Sequence, residues 1–145
     1  MSASRDAVAA LILGYAERLD AGDLAGVAAL FRDAIYRSAQ GGTYGGSAAV
    51  LEVLTRKVIL YGDGTPRTKH VTTNLLIEVD ASDATASARS YFTVFQATER
   101  LPLQPIIAGR YHDRFARTDG AWRFVDRLIL VDLVGDLSQH VRSPA

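Results

Sequence analysis

The sequence predicts an α+β domain in the order α-α-β-α-β-β-β-β, with helices covering one face of a curved antiparallel sheet. Three observations carry this. Apolar residues recur at three- and four-residue spacing in the first part of the chain and at every second residue after Thr68. The breaks between segments fall at glycine, aspartate and proline. No repeat, linker or low-complexity tract interrupts the 145 residues.

Ser4 caps a first helix that runs to about Asp20, with Val8, Leu11, Ile12 and Tyr15 on one apolar stripe. Gly22 stops it, and Asp23 caps a second helix through Phe31 that carries Leu24, Val27 and Leu30, so the two form a helical hairpin. Ala34 to Ser38 alternates as a short strand, which the stretch from Gly41 to Gly46 breaks. Ser47 opens a third helix bearing Val50, Leu51, Leu54, Val58 and Ile59, and Tyr61 to Thr68 is a loop. Strands follow at about 69–79, 85–97, 106–117 and 121–134, with tight turns at 80–83 and 118–120. Runs this long exceed an ordinary strand, so bends or bulges are expected in a strongly curved meander. One domain over 1–137 and a loose tail over 138–145 complete the organisation.

A chain of 145 residues with 48% hydrophobic content can build one core without staples. The absence of cysteine from the sequence excludes disulfides, a thiolate nucleophile and cysteine-ligated metals. Sixteen Lys and Arg balance sixteen Asp and Glu without runs of either sign, which argues against a nucleic-acid partner. Near-neutrality gives little colloidal repulsion, so a homo-oligomer, a dimer or trimer, is expected. The apolar stretch 7–16 is flanked by Asp6 and by Glu17 and Arg18, which marks a helix rather than a leader, and no run approaches the roughly 20 apolar residues of a membrane span. A soluble cytoplasmic protein is the expectation.

Cofactor signatures are scarce. Gly41, Gly42, Gly45 and Gly46 do not fit G-x-G-x-x-G, the three histidines lack metal-ligand spacing, and no G-x-S-x-G elbow is present. Neither a cofactor nor a metal is expected. Acid–base chemistry remains, and His70 is the best candidate base because its side-chain type changes charge nearest neutral pH. Strand alternation places His70 with Thr72 and Asn74 on the more polar face, opposite Val71, Thr73, Leu75 and Ile77, a pattern equally met by a surface histidine. Asp20 ends the first helix, against the macrodipole, either as turn punctuation with Asp23 or as a carboxylate that fixes the tautomer of His70. Tyr15 and Tyr36 are neutral donors that can polarise a carbonyl. Arg127 shares a face with Val125, Ile129 and Val131 and either anchors a carbonyl or anion, or pairs with Asp113 or Asp126. Arg110 and His112 read as structural or rim residues.

The strings Y-A-E-R-L-D-A-G-D-L-A-G-V-A-A-L-F (Tyr15 to Phe31) and G-R-Y-H-D-R-F-A-R-T-D-G-A-W-R-F (Gly109 to Phe124), with the element order, resemble SnoaL-like proteins of the nuclear-transport-factor-2-like superfamily. That resemblance covers nearly the whole chain and implies a sheet wrapped into a cone, closed by three helices over an apolar pocket. Asp20 and G-D-G-T-P-R-T-K-H (Gly62 to His70) are similar to scytalone dehydratase and its dehydrochlorinase-like and bile-acid-dehydratase-like relatives. The resemblance implies an Asp20–His70 dyad, a carbonyl-polarising Tyr36, and substrate contacts from Tyr15 and Arg127. Tyr91 and Phe95 stand, with Thr93, where scytalone dehydratase has a further histidine, and are expected to line the pocket. Leu19 replaces its tyrosine before the dyad aspartate, and Ser38 and Tyr111 stand about where ketosteroid isomerase has its acids, which disfavours both of those substrates' chemistries in unchanged form. The expected function is a cofactor-independent, dehydratase-like lyase acting on a small cyclic hydroxy-carbonyl compound of polyketide, steroid or terpenoid type. The alternatives are a polyketide cyclase or isomerase, and a non-catalytic ligand-binding or dimer-forming subunit.

Overall fold

In the computed structural model, which describes residues 2–142, helix α1 (Ala3–Asp20) starts two residues earlier than expected. Ser2 is the cap, accepting from the Arg5 N–H, and Ser4 is buried and donates to Asp83 at 2.6 Å. Helix α2 (Leu24–Ala29) is capped by Asp23 as expected and is followed by Phe31, which is fully buried against Phe124. The strands β1 (Ile35–Ser38) and β2 (Thr43–Gly45) form a hairpin, so the glycine-rich stretch holds a short strand within the predicted break. Helix α3 (Ser47–Lys57) follows, and Val58 is already extended.

The long strands are β3 (Thr68–Val79), β4 (Thr85–Thr98), β5 (Leu101–Thr118) and β6 (Ala121–Val134). With β1 and β2 they make one open six-stranded sheet in the order β2-β1-β6-β5-β4-β3. Every neighbouring pair is antiparallel except β1 with β6, where Tyr36 lies beside Arg127 in a parallel register, so the sheet is mixed rather than purely antiparallel. Register shifts in each of the three long pairings curl the sheet into a cone-like α+β fold, and Val8, Ile12, Val27, Val50, Ile106 and Phe115 fill its inside.

One of these shifts changes a predicted face. Between Thr73 and Leu76, β3 spends an extra residue against β4, and Asn74 takes the left-handed conformation at φ 52°. Asparagine tolerates that region better than most residues. The bulge reverses the alternation, so Thr68, His70 and Thr72 before it and Leu75 and Ile77 after it all face the concave side. The polar residues expected on one face before the bulge and the apolar residues expected on the other after it therefore share one face, while Val71 and Thr73 stay exposed on the opposite side.

Residues 138–142, expected to be loose, are docked. Val141 bridges Val58, the Ile59 N–H donates to the His140 carbonyl at 3.1 Å, and the Arg142 N–H donates to the Lys57 carbonyl at 2.8 Å. The buried Gln96 amide and the Tyr61 hydroxyl both donate to the Gln139 carbonyl. A strand-like bridge to the end of α3 supplies the partners that a bare polar tail lacks. The rest of the expected tail, 143–145, lies outside the described residues.

Candidate active site

The last residue of α1 and the first turn of β3 meet through one carboxylate. Asp20 accepts from the Thr68 hydroxyl at 2.8 Å, from the His70 backbone N–H at 2.7 Å, and bonds His70 Nδ1 at 2.6 Å. These donors answer the unfavourable end of the α1 dipole. Burial pushes the Asp20 carboxyl up, but its bonds to His70 and Thr68 and the nearby imidazole outweigh that and hold it below the usual carboxylate range. A carboxylate on Nδ1 keeps the proton there and leaves Nε2 as the free acceptor.

Gly22 makes this meeting possible. It sits at φ 78°, and a Cβ there would lie 1.9 Å from the Gly64 carbonyl oxygen, so only glycine lets the 61–67 loop pass over the end of α1 and deliver Thr68 and His70.

A cavity of about 350 Å³ lies between helices and sheet, a volume in the range of small-molecule sites. His70 forms part of its wall, as do Tyr15, Tyr36 and Tyr111, with Leu54, Phe92, Val94, Ile107 and Ile129 supplying apolar surface. The Tyr15 and Tyr36 hydroxyls are 2.8 Å apart. Because one proton of the pair is used between them, the other remains to be offered to a bound oxygen. Burial raises the Tyr15 phenol, partly offset by Arg127, and burial with the neighbouring Tyr15 raises Tyr36 well above the ordinary phenol value. Both are neutral donors.

Arg127 is fully buried and takes the structural option. It forms two hydrogen bonds, at 2.8 and 2.9 Å, to a buried Asp113, while Asp126 turns to the other side of the sheet and pairs with Arg37. Burial opposes the Arg127 charge, and Asp113 more than restores it. Its guanidinium lies 4.3 Å from the Tyr15 ring centroid and 3.7 Å from that of Tyr111. Arg127 is thus packed behind the tyrosines and is not among the residues lining the cavity, contrary to the expected substrate contact.

Tyr91 and Phe95 do not line the cavity either. Tyr91 is 51% exposed, and Phe95 borders a separate cleft that Lys69 and Leu103 line together with Asp20 and Thr68. Alternation along β4 gives the inward positions to their neighbours Phe92 and Val94. Arg110 pairs with Asp132 in the open, and His112 borders a surface groove, as expected of rim residues.

Nothing in the sequence pairs His140 with His70. In the fold it is buried, lines the same cavity, and its ring centroid is 6.2 Å from that of His70. Burial, with the His70 imidazole, pushes its pKa down to about 4. Among the described residues no three His, Cys, Asp or Glu side chains group as a metal site, and no helix is long and apolar enough to cross a membrane.

The family model of the SnoaL-like domain matches residues 1–128. The chain belongs to the SnoaL-like domain family. Among solved structures, this SnoaL-like domain is similar to a protein of unknown function from Mycobacterium tuberculosis, at 29% identity and TM-score 0.73, over 90% of this chain and 72% of that one. It is similar to a scytalone dehydratase candidate from Novosphingobium aromaticivorans, at 26% identity and TM-score 0.72, over 91% and 86% of the two chains. ActVI-ORFA from Streptomyces coelicolor shares the fold, at 20% identity and TM-score 0.72, over 90% and 98%. Comparison with curated protein sequences finds no match.

Proposed function

We propose that this SnoaL-like domain is a cofactor-independent dehydratase acting on a small cyclic β-hydroxy carbonyl compound. The observation that carries the reading is a single cavity bounded by an Asp20-bound His70 and by the Tyr15–Tyr36 hydroxyl pair. His70 Nε2 takes the proton from the carbon next to the carbonyl, and Asp20 holds the ring and stabilises the imidazolium. The tyrosine pair donates to the carbonyl oxygen as it becomes an enolate. Collapse of the enolate forms the C=C bond and breaks the C–O bond, and the imidazolium returns its proton to the departing hydroxide, giving water. Similarity to the scytalone dehydratase candidate supports this class of reaction.

The test is dehydration of 3-hydroxy-1-tetralone, followed by the appearance of 1-naphthol fluorescence. The wild type should form naphthol and His70→Ala should not. A rearranged or cyclised product without loss of water, from this or an open-chain diketone, would favour the isomerase or cyclase reading, for which the same base and enolate cradle suffice. Binding indifferent to His70→Ala, with no conversion, would favour the non-catalytic binding subunit. The proposed assembly is a homodimer or homotrimer, checked by light scattering.

A further inference from the structure

The proposed chemistry places a base and an enolate cradle but gives the hydroxyl no partner to hold it before the His70 imidazolium protonates it. The cavity wall contains a group without an assigned task. His140 lines it close to His70, and its Nδ1 is enclosed with no hydrogen-bond partner among the described residues. A buried, orphaned N–H is costlier than an orphaned lone pair, which favours the tautomer with the proton on Nε2. The enclosure of Nδ1 also leaves Nε2 as the nitrogen free to meet a bound molecule. The ring is held in place: the His140 N–H donates to the Leu137 carbonyl at 3.0 Å, its carbonyl accepts from Ile59, and the next residue bridges Val58. The groups that face it from the packed elements are His70 and Asp20 of the dyad.

We propose that His140 is a second substrate-contacting residue, whose imidazole N–H holds the hydroxyl that leaves while His70 takes the proton from the adjacent carbon. This rests on the dehydratase reading and assigns the residue that holds the β-hydroxyl of its substrate. A ring-to-ring distance of 6.2 Å suits a two-carbon H–C–C–O fragment hydrogen-bonded at both ends. No proton leaves His140. It remains neutral at working pH, because burial holds its pKa near 4, and it acts as a fixed donor while His70 shuttles the proton.

Two stable probes separate the two ends of the site without turnover: 2-tetralol, which carries only the hydroxyl, and 1-tetralone, which carries only the carbonyl. Dissociation constants are measured by calorimetry for the wild type, His140→Phe, His140→Gln and Tyr36→Phe. One neutral hydrogen bond corresponds to roughly a five- to tenfold change in affinity. His140→Phe should weaken 2-tetralol by that factor and leave 1-tetralone within about twofold. His140→Gln keeps an N–H donor and should retain most of the 2-tetralol affinity, while Tyr36→Phe should weaken 1-tetralone selectively. Unchanged 2-tetralol binding in His140→Phe, or equal weakening of both probes in His140→Phe and His140→Gln, overturns the assignment and leaves the dyad reading intact. If neither compound binds the wild type at millimolar concentration, the assignment falls together with the proposed substrate class.

Discussion

Acidification from about pH 7.5 to about pH 5 should weaken the fold through His140 by about 2 kcal/mol. The unfolded residue has the ordinary histidine value of 6.5, and the folded one about 4. A depressed folded value means that the unfolded chain binds the proton first, so stability is complete above about 6.5 and falls as the pH drops toward 4. At about pH 5 the unfolded form has gained roughly 1.5 pH units of protonation that the folded form has not, which at about 1.36 kcal/mol per unit is the stated loss. Asp20, the carboxylate facing this ring, is held below the usual range, so its own stabilising share is lost only below that window. The assay is urea unfolding of wild type and His140→Leu at both pH values. With a slope of roughly 2 kcal/mol per molar urea, the wild-type midpoint should fall by about 1 M more than that of the variant. His70 is present in both proteins, so the difference between their profiles isolates His140. Parallel profiles would refute the reasoning, because they would mean that the buried ring meets no more resistance to protonation than a solvated one.

Three other perturbations test the remaining parts of the site. Asp20→Asn should lower kcat for naphthol formation by about 10²–10⁴-fold with little change in KM, because it removes the tautomer lock and the counter-charge without emptying the cavity. Arg127→Met strands the buried Asp113 carboxylate and should cost about 3–5 kcal/mol by urea unfolding, whereas the double variant Arg127→Met with Asp113→Leu should be less unstable than the single one. Gly22→Ala must either strain a left-handed backbone or push the 61–67 loop away, and should lose about 1–3 kcal/mol together with turnover.

Much of the fold could be read from the residues because period and punctuation agree over most elements. The capping Asp23, the stop at Gly22 and the four long strands all follow local rules. What escaped depends on register. The bulge at Asn74 carries no glycine, so nothing local announces that Leu75 joins the face of His70. Tyr91 and Phe95 lie one residue out of phase with the inward-facing Phe92 and Val94, and a shift of one residue reverses every side chain on a strand. Arg127 could not be matched to Asp113 over Asp126 without the cross-strand pairing, which sets Asp113 directly opposite it. Residue type and placement make Asp20 and His70 candidates and the resemblance pairs them, whereas Thr68, the third group on that carboxylate, offers only an ordinary hydroxyl. His140 had no signal at all, since its place beside His70 depends on a bridge between Val58 and Val141.

The parallel register of β1 on β6 has a consequence for how the chain comes to be folded. During synthesis the three helices and the first hairpin leave the ribosome before any of the strand against which β1 must pair, because Tyr36 waits for Arg127. Until β6 is made, Phe31 has no Phe124 to stack on, and the apolar stripes of α1 and α3 have no finished sheet to cover. The nascent domain therefore carries exposed apolar surface for most of its elongation, and its assembly must wait for contacts between distant parts of the sequence, the arrangement that makes folding slow.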